Sequence, residues 1–542
     1  MKLNYKRTLF VGFAFFLICL FWQAYDNIVP KILIDKFGMS QTWSGLIMAL
    51  DNILALFLLP LFGAISDKCH SRLGRRTPFI LVGTLCACVL FVGLSFVDNM
   101  QLANIGKPAR FVVNEDGLNT IDPEGMDILF DEMEGQILTT SDGEKFMLVS
   151  AATAGSQQLI QNGGTVILEK DFKKITAQIR NADGKIVDNP DFVTYVVAVR
   201  QAYAHSVQTA NRLPLILFVV VLLMLLVSMA IFRSPAVALM PDVTIKPLRS
   251  KANAIINLMG SAGGILVLIL GIVFHTGSTL KAMTSYTAYF SLMAGIMLLA
   301  LLVFLWKVRE PKWAQEMHEE SRKYGIQELD ENATAEQRKL SSGEKRSLIL
   351  LMASIVLWFM GYNAVTSKYS VYAGKVLNMD YNMTLIIAQA AAIISYLPVG
   401  IIASKVGRKK TILAGIVMLT AAFTIAAFVR AGSPVLLMNC MFALAGTGWA
   451  TINVNSFPMV VELAKGGDVG KYTGFYYTAS MAAQTVTPLL SGLLMDTTGR
   501  MTVLFPYAAV FAGLAFFTML CVRHGDSKPE AKKGLEAMDV DD

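Results

Sequence analysis

The chain has 542 residues, 54% of them apolar and only 16% charged, with a formal net charge of +7. Soluble domains carry about one quarter charged residues, so this composition excludes an ordinary water-soluble globular protein and sets much of the surface against lipid.

A helix needs about 20 consecutive apolar residues to cross a hydrocarbon core. Twelve such runs are predicted, at 8–34, 43–65, 79–97, 215–240, 252–274, 286–306, 348–372, 383–404, 412–429, 435–458, 472–495 and 503–521. The first is not read as a cleaved signal peptide, because it is too long, holds Trp22, Tyr25 and Asp26, and has no small-residue cleavage site. Lys and Arg crowd alternate loops, as at Lys68, Arg72, Arg75, Arg76, Lys246, Arg249, Lys251, Arg408, Lys409 and Lys410. The positive-inside rule then predicts cytoplasmic termini in a multi-pass protein of the cell membrane. The net charge reflects this bias and points to no nucleic-acid partner. Of the six cysteines, five lie in apolar spans and Cys69 in a cytoplasmic loop, so no disulfide framework is expected.

Residues 99–212 interrupt the spans with polar sequence. A strand at 110–113 running into a turn at 114–117, alternation over 174–180 before a turn at 183–184, and a helical pattern over 191–211 predict a small α/β domain outside the membrane. Because it joins spans three and four, it is expected to sit outside either half-bundle and to be dispensable for what the spans do. Residues 307–346 form a charged cytoplasmic linker, and the acidic tail 523–542 reads as disordered. The membrane part therefore divides into 1–98 with 213–306, and 347–522.

The two sets of six spans echo each other. Tyr25-Asp26 recurs as Tyr362-Asn363 at a shift of 337 residues, which also carries Gly63 onto Gly400. After four extra residues, Gly74-Arg75-Arg76 matches Gly407-Arg408-Lys409. Parallel halves with a binding site at their interface are an established transporter plan.

Asp26, Asp51 and Arg233 fall inside apolar spans. A charge at mid-bilayer costs about 2.5–3.5 kcal/mol even on the lenient scale, so such groups face a cavity or a partner. Trp22 lies one turn before Asp26, offering a ring for stacking beside a carboxylate for hydroxyls, with Tyr25 adjacent; Asn52 follows Asp51. The competing reading is a structural ion pair between Arg233 and one aspartate. The 337-residue shift sets neutral Asn363 opposite Asp26, and Ala388 with Gln389 opposite Asp51 and Asn52. Trp358, Tyr362, Asn453, Asn455 and Gln484 complete the second-half candidates, each equally consistent with interhelical hydrogen bonding or packing. No nucleotide-binding or metal-protease motif and no Cys-x-x-Cys pair is present, so neither an ATP-driven pump nor an enzyme is expected, and no cofactor.

The most specific segment runs Gly63-Ala-Ile-Ser-Asp67-Lys-Cys-His-Ser-Arg72-Leu-Gly74-Arg75-Arg76-Thr-Pro78. It resembles the loop between spans two and three of the major facilitator superfamily, and its closing Arg-Arg-x-Pro resembles the sucrose-transporter branch and the glycoside–cation symporters. Arg233 through Asp242, Arg249 and the second-half segments around Gly448-Trp449 and Gly470–Gly474 extend the resemblance over all twelve spans. The fold it implies is an all-α membrane protein of twelve helices in two six-helix halves, carrying the α/β insertion after span three. The function it implies is secondary active import of a sugar or glycoside by a monomer working by alternating access. An exporter or facilitator of another small solute, or a transporter-derived sensor, is the alternative. Gly63, Asp67, Arg72, Gly74, Arg75 and Arg76, with Asp242 and Arg249, and Gly407 and Arg408 as the second-half counterparts of Gly74 and Arg75, would form cytoplasmic gating clasps; the plainer reading is that the arginines only set topology. Melibiose-type relatives place two cation-binding carboxylates on span two, where this chain has Ala55 and Leu59, with Asp51 one turn farther out. That departure favours a proton over sodium as the coupling ion.

Overall fold

The computed structural model describes residues 3–151, 153–181, 184–245, 248–324, 341–462 and 469–525. Among the described residues, twelve helices of 17 residues or more fall into two sets of six. The first half holds α1 (Tyr5–Lys31, continued by a π-helical turn Ile32–Lys36), α2 (Gln41–Asp67) and α3 (Thr77–Ile105). An insert follows, with α4 (Pro123–Met133), α5 (Ala154–Gln161), α6 (Glu169–Phe172) and α7 (Val197–Ala210). The first half resumes with α8 (Leu213–Asp242), α9 (Arg249–Val273), a short α10 (Thr279–Ala282) and α11 (Thr287–Lys307). The linker supplies α12 (Glu310–Lys323), and the second half is α13 (Ser342–Lys375), α14 (Tyr381–Val406), α15 (Arg408–Ala426), α16 (Val435–Glu462), α17 (Val469–Thr498) and α18 (Leu504–Leu520). Among the described residues, ten helices are long and apolar enough to cross a membrane; α14 carries a shorter apolar stretch, Tyr381–Tyr396. The chain is thus a multi-pass membrane protein.

Helix ends follow local chemistry. Asn4 and Ser40 accept from backbone N–H groups at the starts of α1 and α2, and Ser341 with Glu344 forms a capping box that opens α13. Apolar residues surround most membrane helices, as expected for helices that meet lipid on one side and protein on the other.

The halves repeat one packing scheme. In the first, α1 packs on α9 and α11, while α8 packs on α2 and α3, and α3 on α11. In the second, α13 packs on α17 and α18, while α16 packs on α14 and α15, and α15 on α18. Each pair in one list is the counterpart of a pair in the other, so the repeat seen in two short motifs extends to the tertiary contacts. The halves meet through α2 with α17, α9 with α14, and α1 with α13. Each half has its own apolar core, one around Phe21, Phe91, Phe232 and Phe290, the other around Trp358, Tyr369, Phe423 and Phe505.

The described residues of the insert contain seven short strands: β1 (Phe111–Val113), β2 (Asn119–Ile121), β3 (Ile137–Thr139), β4 (Lys145–Val149), β5 (Thr165–Leu168), β6 (Gln178–Arg180) and β7 (Ile186–Asp188). They form two antiparallel hairpins, β1–β2 and β6–β7, and a mixed sheet in which β4 lies antiparallel to β3 and parallel to β5. Of the turns read from sequence, the one at 114–117 joins β1 to β2, where the Asn114 side chain accepts from the N–H groups of Asp116 and Leu118. Residue 183 of the other turn lies outside the described residues. The insert touches both halves: Ser141 and Asp188 bond to residues of the second half, because the β3–β4 turn and the end of β7 lie across the seam between the halves. The acidic tail beyond Gly525 and linker residues 325–340 lie outside the described residues.

Candidate functional site

Between the halves lies a cavity of about 190 Å³ lined by Trp22, Asp26, Met48, Asp51, Asn52 and Arg233 from the first half and Asn363, Thr366, Ser367, Gln484 and Pro488 from the second. The structure therefore brings together seven of the sequence candidates. Helical spacing explains the grouping: Trp22 and Asp26 are one turn apart on α1, and Asn363 shares its face of α13 with Thr366 and Ser367. Asn52 donates from Nδ2 to Asp51 Oδ1 at 2.8 Å, orienting that carboxylate. The Arg233 guanidinium lies 5.5 Å from the centre of the Trp22 ring, a cation–π contact. Among the described residues no contact within 4.0 Å pairs it with Asp26 or Asp51, but its charge acts on both carboxylates, so a structural role for Arg233 stays open beside a binding one. Trp22 Nε1 and Asn363 Nδ2 are buried donors without a partner among the described residues. The cavity thus offers two carboxylates, one guanidinium, an aromatic face, amides and hydroxyls, a set suited to a polyhydroxylated solute.

Six other candidates do not line this cavity. Tyr25 is fully buried behind Trp22, edge-on to its ring, and Trp358 is buried in the second-half core. Tyr362 stacks on Trp449 with ring centres 3.7 Å apart. Gln389 donates to Gln23 Oε1 at 2.6 Å, joining α14 to α1. Asn453 and Asn455 are buried in α16, where Asn455 bonds back to Thr451. For these the packing interpretation describes the geometry. Sequence reasoning missed Thr366 and Ser367, although their spacing from Asn363 marks the same helix face.

At the insert's end the halves are shut. The N–H groups of Gln41 and Thr42, at the start of α2, donate to the Asp496 carboxylate near the end of α17 at 3.0 and 2.7 Å. Gly45 and Gly492 sit where α2 and α17 touch backbone to backbone, with no room for a side-chain carbon. Lys368, wholly buried, donates to Gln41 O at 2.7 Å. On the pseudo-symmetric side, Thr276 at the end of α9 bonds Tyr381 and Asn382 of α14. Lys375 bridges the halves in a buried ion pair with Asp35 at 2.8 Å. A second buried pair, Lys36 with Asp98 at 2.5 Å, fixes α1 to α3, with Lys36 also over the Tyr286 ring.

The opposite end holds the conspicuous Gly63–Pro78 loop. Arg76 pairs with Asp67 at 2.5 Å and with Asp242 at 2.8 Å, while Arg75 reaches Asp242 at 3.4 Å. Burial opposes the charge of Arg76, but its hydrogen bonds to Asp242 and Asp67 outweigh that and hold its pKa above the usual arginine value. Gly63 packs against Ser234 of α8, and its carbonyl accepts from Arg76. Arg249 donates to the carbonyls of Pro241 and Thr244, closing the end of α8, whereas Arg72 is exposed and outside these contacts. Gly407 turns the chain between α14 and α15 at positive φ, and Arg408 opens α15.

The centre of this cluster was not foreseen. Glu310, at the start of α12, is buried and accepts from the N–H groups of Arg75, Arg76 and Thr77 and from the Thr77 hydroxyl, at 2.6–3.1 Å. It caps the N-terminus of α3, where a carboxylate is favoured by both free N–H groups and the helix dipole. Gly74, at positive φ, lies against this carboxylate with no space for a Cβ. The expected clasp therefore ties α2, α3, α8 and the linker helix within one half; these bonds do not cross to the other half.

Curated relatives match only in part. A human proton-associated sugar transporter A is 35% identical over 96 residues, 18% of this chain and 12% of that protein. A sucrose transport protein of Arabidopsis thaliana is 41% identical over 64 residues, 11% of each. Among solved structures, the inward-open xylose transporter XylE from E. coli aligns over 99% of both chains with a TM-score of 0.54 at 13% identity. A bacterial homologue of the iron transporter ferroportin in an inward-facing state aligns over 96% of this chain and 99% of that one, with a TM-score of 0.56 at 11% identity. At such identities these structures establish a shared fold alone. The match that spans the molecule is to the MFS_1 like family over residues 4–505, and with the paired six-helix halves and their interface cavity it shows that the chain belongs to that family of the major facilitator fold.

Proposed function

We propose that this protein is a proton-coupled importer of a sugar or glycoside that works by alternating access. It would be a monomer in the cell membrane with twelve spans, both termini cytoplasmic and the insert outside. The observation that carries this reading is the cavity at the interface of the halves, with Asp26, Asp51 and Arg233 from one half facing Asn363, Thr366, Ser367 and Gln484 from the other. The Trp22 face and the amides suit a sugar ring and its hydroxyls. The partial relatives carrying sugar-transport names support that substrate class.

Both carboxylates come from the first half. An ionised carboxylate is costly to move through an apolar barrier, so protonation of Asp51 or Asp26 would ease passage between states. Asp51 is the carrier we favour, as the carboxylate retained one turn from the positions where melibiose-type relatives hold their cation ligands, with Asp26 beside Trp22 as a substrate ligand or second titrating group. Ala55 and Leu59 add no carboxylate for a sodium site. In this scheme the loop cluster around Asp67, Arg76, Asp242 and Glu310 keeps the first half rigid during rocking and sets the rate of exchange. The test is uptake by purified protein in liposomes across a panel of sugars under an imposed pH gradient. Accumulation that follows the gradient supports the reading; uptake that requires sodium and ignores the pH gradient overturns the coupling, and an absence of sugar uptake favours the alternative of another small solute.

A further inference from the structure

The insert is held to the two halves in different ways. Toward the first half it shares an apolar core, in which Leu129, Phe130, Phe172, Val196 and Val199 pack with Leu280 and Met283. Arg200 of α7 is wholly buried and donates to the carbonyls of Pro108, Asp35 and Met283, at 3.1, 3.2 and 3.5 Å. Burial lowers its pKa to about 10, partly offset by Asp35 and Asp98. Gly38, just past α1, sits against the α7 backbone at Gln201 and His205, at a positive φ and with no room for a Cβ. The insert is thereby built into the first half.

Toward the second half the hydrogen bonds are few and polar; the turn Phe192–Val196 also touches α13, but among the described residues the insert's apolar core includes no second-half side chain. The β3–β4 turn reaches across, with Ser141 Oγ donating to Lys375 O at 3.0 Å and Met501 N donating to Ser141 O at 2.8 Å. Asn378 donates to Asp188 O at 3.3 Å. Lys375 then links everything at once: its ammonium donates to Gln201 of the insert at 2.6 Å and pairs with Asp35 of the first half. Uncharged hydrogen bonds such as those of Ser141 and Asp188 exchange readily for bonds to water, whereas a shared apolar core does not.

We propose that the insert is the outer gate of the carrier, fixed to the first half and releasing the second half each time the mouth on its side opens. This rests on the alternating-access reading but not on the solute carried. Its seam runs along Ser141, Asp188 and Gln201 on one side and Lys375, Asn378 and Met501 on the other.

The test joins the seam covalently and watches the opposite side of the same mouth. In a background with the native cysteines replaced, Ser141→Cys and Met501→Cys would be oxidised to a disulfide in the full-length protein. Thr276→Cys, fully buried where α9 meets α14, reports opening through its reaction with a water-soluble thiol reagent in detergent. The expected result is at least ten-fold slower modification of position 276 in the oxidised than in the reduced protein, reversed by reductant. Lys375→Ala, without any cross-link, should speed modification several-fold, which keeps the test independent of the disulfide's own effect on folding. Equal modification of oxidised and reduced protein overturns the gate, as does failure of the disulfide to form or a position 276 that never reacts. Absent sugar uptake with the expected labelling pattern would reject the substrate assignment and leave the gate standing.

Discussion

Replacing Glu310 by Gln keeps size and shape while changing one carboxylate oxygen into an NH2 donor. In the native protein Oε1 accepts from the N–H groups of Arg75 and Arg76, and Oε2 from the N–H groups of Arg76 and Thr77 and from the Thr77 hydroxyl. Whichever way the amide is turned, its NH2 faces at least one backbone N–H of the α3 terminus. Glu310 is only 3% exposed, so water cannot take over the abandoned donors. A hydrogen bond to a charged group contributes about 1.5–3 kcal/mol. Loss of the charge at a partly buried helix N-terminus adds up to about 2 kcal/mol. Two weakened bonds and the lost charge together place the cost at roughly 3–5 kcal/mol. Thermal unfolding of detergent-solubilised protein, followed by loss of the monodisperse chromatographic peak, should show an apparent Tm lowered by on the order of 5 °C. The start of the linker helix, tied to the loop through this side chain, should also become more susceptible to protease. Glu310→Asp, one methylene shorter, should recover part of the loss, because it restores the charge. An unchanged Tm and cleavage pattern in Glu310→Gln would refute the capping argument, since no other acceptor for Thr77 N is present among the described residues.

Three further outcomes are expected. Asp51→Asn should abolish accumulation driven by a pH gradient while retaining downhill exchange, whereas Asp26→Asn should chiefly weaken sugar binding; full accumulation by Asp51→Asn in liposomes would reject Asp51 as the proton carrier. Gly45→Val adds a branched side chain whose Cβ overlaps the Pro488 backbone at the α2–α17 contact, so it should hold the insert-side mouth ajar, read as faster thiol labelling of Thr276→Cys. Asp98→Ala strands a wholly buried Lys36 and should cost about 3–5 kcal/mol, seen as a loss of folded protein on solubilisation, while the double change Lys36→Met with Asp98→Leu should recover most of it.

Much of the membrane architecture was legible because its signal is one-dimensional. Long apolar runs, loop charges and the repeated Tyr25-Asp26 and Tyr362-Asn363 pairs need no tertiary information. The charged cavity residues were legible for a related reason: a carboxylate such as Asp26 within an apolar run has few places to go except a cavity. Neutral residues gave no such signal. Trp358, Asn453 and Asn455 look like cavity residues in sequence but are buried in the second half, because an amide or indole can be satisfied by packing and local bonds at almost any helix interface. Thr366 and Ser367 reach the cavity only because Asn363 does, through the pitch of one helix.

The amino-acid sequence by itself determined that the chain crosses a membrane many times, that its halves are related, and that ionisable groups lie at mid-span. Hydrophobic length and period are properties of neighbouring residues, and the bilayer enforces them. Only the tertiary structure decided that Glu310 caps α3, that the Arg76 cluster stays within one half, and that the insert is seated across both halves. Apart from Arg76 with Asp67, nine residues apart, these join groups distant in the chain, 235 residues for Arg75 with Glu310 and 234 for Ser141 with Lys375. No local pattern marks such partners, because a buried acceptor or cation is fixed by whichever donors the packed helices bring to it, and that packing is set by the whole molecule.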